Sequence, residues 1–164
     1  MDTPFSFPFI CWSSSLFYDV IIKGKYNDKE GSFIMEDSRM NRDEIKSILD
    51  GLGMDRKEFM VIASGALVLR GIWDGAADID LAVTEKGLEE LRRTHEVREP
   101  QPGHFEVGER VEFRVSDRNE WITEIIDGYQ VLDIEEYFMM LLFSDRKKDR
   151  DRIPLVQEYI RNRK

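Results

Sequence analysis

Cysteine is almost absent from the chain. Cys11 is the single one in 164 residues, which excludes a disulfide within the chain and a zinc site built on cysteines. Histidine is nearly as scarce: only His95 and His104 occur. Neither stands at a ligand spacing from the acids, so both read as surface or turn residues. Basic charge is short too. Against 33 Asp+Glu there are 24 Lys+Arg, for a formal charge of −9. Such a chain does not grip long nucleic acid by general electrostatics, which needs a clustered basic surface. The acid excess leaves room for a nucleotide held through Mg²⁺, because carboxylates bind that ion and the ion binds phosphate. The length fits one domain, or a core of about 120 residues with an extension. The simplest compartment for a chain with so little cysteine is the cytoplasm.

Residues 1–39 read as an aromatic extension. Phe5, Phe7, Phe9, Trp12, Phe17 and Tyr18 are broken by Pro4, Pro8 and the run Ser13-Ser14-Ser15. A secretory signal wants early basic residues, yet the first lysine is Lys23. A membrane span wants about 18 unbroken apolar residues, which these prolines and serines deny. Three readings fit: an apolar arm packed on the domain, an arm that binds a partner, or sequence upstream of the true start, since Met35 and Met40 both precede a clean helix signal.

From residue 40 to 164 the pattern is that of a folded domain. Asn41 with Glu44 makes a capping box ahead of Ile45, Ile48, Leu49 and Leu52, and Gly51 and Gly53 end that helix. Phe59 to Ala63 reads as a buried strand, turned by Ser64-Gly65 into a short helix over Ala66 to Arg70. Asp78 to Thr84 alternates as a strand, and Glu85 to His95 is a polar helix pinned by Leu88 and Leu91. His104 to Val107 and Arg110 to Val115 form a hairpin around Gly108, and Gly128 to Leu132 a further short strand. Asp133 with Glu136 opens a helix that presents Ile134, Tyr137, Phe138, Leu141 and Leu142, with Met139 and Met140 read as core. A charged stretch then leads into a last helix with Pro154 in its first turn. The order predicts an α/β or α+β domain with a mixed sheet flanked by helices, the last two of them C-terminal.

The chemistry-bearing feature is Asp78-Ile79-Asp80-Leu81. Residues two apart on a strand point to one face, so the two carboxylates project together while Ile79 and Leu81 face the core. Adjacent carboxylates repel unless a cation joins them, which makes the pair a candidate divalent-metal site; strand-end acids meeting solvent are the plainer reading. Ser64-Gly65, a small-residue turn at a helix start, suits the approach of backbone N–H groups to phosphate. Glu112, in Val111-Glu112-Phe113, falls on the polar face of a later strand and supplies a third carboxylate.

Together these pieces resemble the nucleotidyltransferase superfamily that includes DNA polymerase β, and within it the minimal bacterial and archaeal branch. The matching residues are Val61 to Leu67, then Asp78 to Leu81, then Val111 to Phe113, with a tail Arg146-Lys147-Lys148-Asp149 followed by Ile153, Leu155 and Tyr159. The resemblance implies a nucleotidyltransferase-type sheet and transfer of a nucleoside monophosphate from ATP or another triphosphate to an acceptor hydroxyl. It also implies two Mg²⁺ ions, or Mn²⁺, on Asp78, Asp80 and Glu112, and nucleotide contacts from Ser64, Gly65, Lys148 and Asp149. The acceptor would be a small molecule or a compact RNA or protein, with no membrane; a homodimer or a cognate partner protein is the expected assembly. Two departures favour a rival, a catalytically silent fold used as a binding or regulatory module, for example of a toxin–antitoxin pair. Ser64 stands where the family has its first turn glycine, and Trp73 and Ala76-Ala77 occupy the loop where members carry Arg-x-x-Ser/Thr.

Overall fold

The computed structural model describes residues 38–163; the aromatic segment up to residue 37 lies outside them. Helix α1 (Arg42–Gly51) starts where the sequence signals it. The Asn41 side chain accepts from the amides of Asp43 and Glu44, and the Glu44 carboxylate accepts from the Asn41 amide at 2.8 Å. Then follow β1 (Phe59–Ile62), α2 (Ala63–Leu69), β2 (Ile79–Val83), α3 (Glu85–Thr94), β3 (Val97–Gln101), β4 (His104–Val107), β5 (Val111–Val115), a 3₁₀ turn (Arg118–Glu120), β6 (Thr123–Ile126), β7 (Tyr129–Leu132), α4 (Ile134–Leu142) and α5 (Lys147–Arg163). The domain is thus mixed α/β, of the α+β kind, with five α-helices among the described residues. Among the described residues, seven strands form a sheet in the order β3-β4-β5-β2-β1-β7-β6. β2 runs antiparallel to β1 and parallel to β5, and β1 runs parallel to β7; the outer pairs β3–β4, β4–β5 and β6–β7 are antiparallel.

Alternation divides the sheet into two unlike faces. One carries Phe59 and Val61, Ile79, Leu81 and Val83, Phe105 and Val107, Val111 and Phe113, Tyr129 and Val131. All of these join one buried cluster with Ile45, Leu49 and Leu52 of the α1 region, Ala66 and Leu69 of α2, and Leu88 and Leu91 of α3. The opposite face carries Met60 and Ile62, Asp80 and Ala82, Glu112 and Arg114, His104 and Glu106, as the pairings Met60↔Ala82, Ile62↔Asp80, Ala82↔Arg114 and Glu106↔Glu112 require. The polar chemistry therefore sits on the face turned away from helices α1 to α3.

Several expectations need correction. Helix α2 begins at Ala63, so Ser64 and Gly65 lie in its first turn rather than in a turn before it. β3 and β6 are strands the sequence reading missed. β3 contains Pro100, which has no N–H to give to a ladder; it is tolerated on this edge strand, in the irregular stretch between the Arg98 and Gln101 pairings. β6 joins β7 through Asp127-Gly128, both with positive φ (52° and 82°), the hallmark of a type I′ hairpin turn. The last helix starts at Lys147, which makes Pro154 its eighth residue rather than a first-turn one. In α4, Ile134, Tyr137 and Leu141 are buried, but Met139 and Leu142 are exposed rather than core, as is Phe143 beyond them.

Two contacts set how tightly the layers close. A Cβ on Gly87 of α3 would stand 2.7 Å from Val83 Cγ1 and 2.9 Å from both the Glu58 carbonyl oxygen and Met54 Sδ, whereas one on Gly51 would meet nothing within 4 Å. We expect Gly87→Ala to destabilise the domain by about 1–3 kcal/mol through overpacking, and Gly51→Ala to stabilise it by about 0.5–1 kcal/mol through the backbone entropy of a helical glycine, both read by urea unfolding. Near Gly87, the buried Glu58 carboxylate accepts from the Thr84 hydroxyl at 2.5 Å and from Lys86 Nζ at 3.3 Å. The Thr84 bond, with Lys86, holds the Glu58 carboxyl below its ordinary value of 4.5, against the opposing effect of burial. A lowered folded value means stability present above pH 4.5 and lost as pH falls through it. Thermal unfolding followed down to about pH 3 should show a shallower acid loss in Glu58→Gln than in the parent.

Candidate functional site

The register of three strands writes a row of carboxylates across the second face. Asp80 of β2 pairs with Glu112 of β5, and Glu112 pairs with Glu106 of β4. Neighbouring strands lie about 4.8 Å apart, so three acids stand side by side. Like charges directly opposite each other are destabilising. Nitrogen-bearing side chains border the row: Arg98, the β3 partner of Glu106, places Nη2 3.2 Å from Glu106 Oε2, and His104 Nε2 is 3.4 Å from Glu112 Oε2. Arg114 lies two residues along β5 on the same face. Burial makes its guanidinium a weaker base than usual, and the nearby Glu112 charge opposes that effect.

Asp78 sits one residue before β2, in a loop held from several sides. Arg110 donates from Nη1 to the carbonyls of Ser38 (2.7 Å) and Ala77 (2.9 Å), and the Ile79 amide donates to the Arg110 carbonyl at 2.7 Å. On the other side of the loop, Met40 and Ala76 exchange both backbone hydrogen bonds, at 2.8 and 3.0 Å. Residues 38–40 thus run beside the loop and fix the backbone that carries Asp78. Trp73, earlier in the same loop, lies under the Arg152 guanidinium at 5.8 Å, which ties the loop to α5.

Beside β2, strand β1 turns into α2 at Ala63, whose φ is +53°. The turn has no side-chain cap, since the N-cap residue is Ile62. Gly65 is packed: a Cβ there would meet Val61 Cγ1 at 3.2 Å. Of the tail residues, Lys148 is exposed in the first turn of α5, while Asp149 is 1% exposed. The Asp149 carboxylate accepts from Ser144 Oγ at 2.5 Å and Arg146 Nε at 2.6 Å, with Arg152 Nη1 at 3.6 Å, so it secures the α4–α5 junction.

The register thus brings Asp80 and Glu112 to adjacent positions on one face, with Asp78 at the mouth of β2. The ligand atoms that come within 4.8 Å of one another, among the described residues, belong to a different set: His104, Glu106 and Glu112. His104 is therefore no turn histidine out of ligand reach, as the sequence reading had it. The missed signal is the alternation His104-Phe105-Glu106, which places histidine and acid on one face. The three-residue loop 108–110 closes Val107 onto Val111 and so sets Glu106 opposite Glu112.

No family model matches the chain, and no curated protein matches it. Among the described residues, no helix is long and apolar enough to cross a membrane.

Ala63 offers a direct test of the strand-to-helix turn. A left-handed conformation costs an L-residue about 1–2 kcal/mol, and a β-branched residue tolerates it least. Ala63→Val should lower unfolding stability by more than about 1 kcal/mol, whereas Ala63→Gly should leave it unchanged or raise it, by urea denaturation.

Proposed function

We propose that this domain is a metal-dependent nucleotidyltransferase that moves a nucleoside monophosphate from a triphosphate to an acceptor hydroxyl. The observation that supports the reading most is the pairing Asp80↔Glu112 on parallel neighbours β2 and β5, with Asp78 two residues before Asp80. The strand-to-helix turn at Ala63 to Gly65 adds to it, since its strand β1 pairs Ile62 with Asp80. The donors are three carboxylates, hard oxygen ligands of the kind Mg²⁺ takes. Asp78, Asp80 and Glu112 would hold the metal, which when bound supplies charge neutralisation at the triphosphate and a more acidic acceptor hydroxyl.

The chain's own groups do the rest. Glu112 accepts the proton of the acceptor hydroxyl as that oxygen bonds to the α-phosphorus, and the bond from the α-phosphorus to the bridging oxygen breaks to release pyrophosphate. Amides at Ser64 and Gly65 donate to the leaving phosphates, and the exposed Lys148 adds a cation. In this reading Asp149 acts indirectly, by fixing the start of α5 that carries Lys148. For catalysis the Glu112 side chain must turn from His104 toward Asp80.

A second reading has a specific observation in its favour: the Glu112 carboxylate lies against His104, 3.4 Å away. A nucleotidyltransferase-type domain held in that arrangement is a catalytically silent binding or regulatory module, for example the partner of a toxin or antitoxin. Calorimetry with ATP, CTP, GTP and UTP in the presence of Mg²⁺ separates the two. The enzyme reading expects metal-dependent binding of at least one triphosphate that Asp80→Ala weakens by tenfold or more, about 1.4 kcal/mol. Absence of any metal-dependent nucleotide binding would sink it.

A further inference from the structure

The geometry points to a first-row transition-metal site, with Zn²⁺ as its type ion, formed by His104, Glu106 and Glu112 on the β4–β5 hairpin. It is a different ligand set from the acids proposed for Mg²⁺ and shares only Glu112 with them. Three features carry it. The first is register. His104 and Glu106 are two apart on β4 and so share a face, while Glu112 is the direct cross-strand partner of Glu106. The three donors therefore come from two paired strands joined by a three-residue loop, a support that holds ligands more firmly than loops do.

The second is distance. His104 Nε2 and Glu112 Oε2 are 3.4 Å apart, which is longer than a charge-assisted hydrogen bond of about 2.7–2.9 Å. It matches the edge of a tetrahedron with metal–ligand bonds of about 2.1 Å, which is about 3.4 Å. One ligand atom from each of the three residues lies within 4.8 Å of the other two, so drawing all three onto one ion asks for side-chain adjustments of well under about 1 Å where bonds are about 2.1 Å. The third is chemistry. An imidazole nitrogen with two carboxylates selects Zn²⁺ or its neighbours over Mg²⁺, which prefers oxygen throughout. The side chains are about one-fifth exposed, at 17% for His104 and 24% for Glu112, so water can fill a fourth position. Arg98, 3.2 Å from Glu106 Oε2, braces that carboxylate from the β3 side, as outer partners of metal ligands do.

The test is calorimetric titration of ZnCl₂ alone, without nucleotide, into the full untagged chain after treatment with chelator. Co²⁺ absorption serves as a second readout. One Zn²⁺ per chain is expected, with a visible Co²⁺ spectrum. His104→Ala and Glu106→Gln should each weaken Zn²⁺ binding by at least about tenfold and abolish the Co²⁺ spectrum. His104→Gln replaces His104→Ala if circular dichroism shows that variant unfolded. Asp80→Ala and His95→Gln should retain both signals. No saturable Zn²⁺ binding, binding unchanged in the His104 variants, or binding lost equally in Asp80→Ala would each overturn the assignment. Because no nucleotide or Mg²⁺ enters the titration, its outcome is separate from that of the nucleotidyltransferase reading.

Discussion

The register of β2, β5 and β4, held by their buried apolar face, is the constraint on which the rest of the structure turns, and it aligns Asp80, Glu112 and Glu106. Placing three carboxylates in one transverse row sets like charges opposite each other on adjacent strands, an arrangement that works against sheet pairing. The register is nonetheless fixed, because shifting any of these strands by one residue would carry Leu81, Phe113 or Phe105 out of the core. Those side chains are at most 7% exposed, and Phe105 stacks on Phe113 with ring centroids 5.2 Å apart. The apolar face dictates the register, and the register dictates the acid row.

The remaining polar contacts fit that division of labour. On the apolar side, burial beneath α1 to α3 supplies the stability. On the acid side, the guanidinium groups of Arg98 beyond Glu106 and Arg114 further along β5 stand at the margins of the row, with the His104 imidazole beside Glu112. Arg110 works on the backbone instead, binding the carbonyls of Ser38 and Ala77 so that the residue before Asp78 is held from two directions. At the far edge of the sheet, the fully buried Arg70 side chain bonds the Leu132 carbonyl at 2.5 Å and pairs with Glu124, which also meets Arg163 of α5. A buried guanidinium needs all of its partners in place, so this cluster joins the end of α2 to β6, β7 and the C-terminal helix in one geometry.

Much of this was legible in the sequence where periodicity and capping act locally. The capping box at Asn41, the strand through Ile79 to Val83 and the helix pinned by Leu88 and Leu91 need only near neighbours. The alternation that places Asp80 and Glu112 on polar faces was legible too; that they would face each other was not, since β2 and β5 are far apart in sequence and pairing between them is set by the whole sheet. β6 was missed although Asp127-Gly128 is a strong hairpin signal, because its exposed Ile125 and polar neighbours lack the burial pattern of a core strand. His104 was misread because its partner Glu112 lies eight residues on, across a hairpin whose register must be counted through the loop before the two meet. The exposed Met139 and Leu142 show the limit of helical periodicity: α4 is apolar around most of its circumference, and composition alone does not say which side is covered.

Glu112 is the residue through which the two proposed functions of this face meet. It has Asp80 across one strand boundary and Glu106 across the other, and one carboxylate cannot serve both neighbours as a terminal ligand at once. Turned toward β4, it completes a nitrogen-containing set suited to zinc; turned toward β2, an all-oxygen set suited to magnesium. If both proposals hold, the sheet places the shared ligand between its two neighbours, and the bound cation would decide its direction.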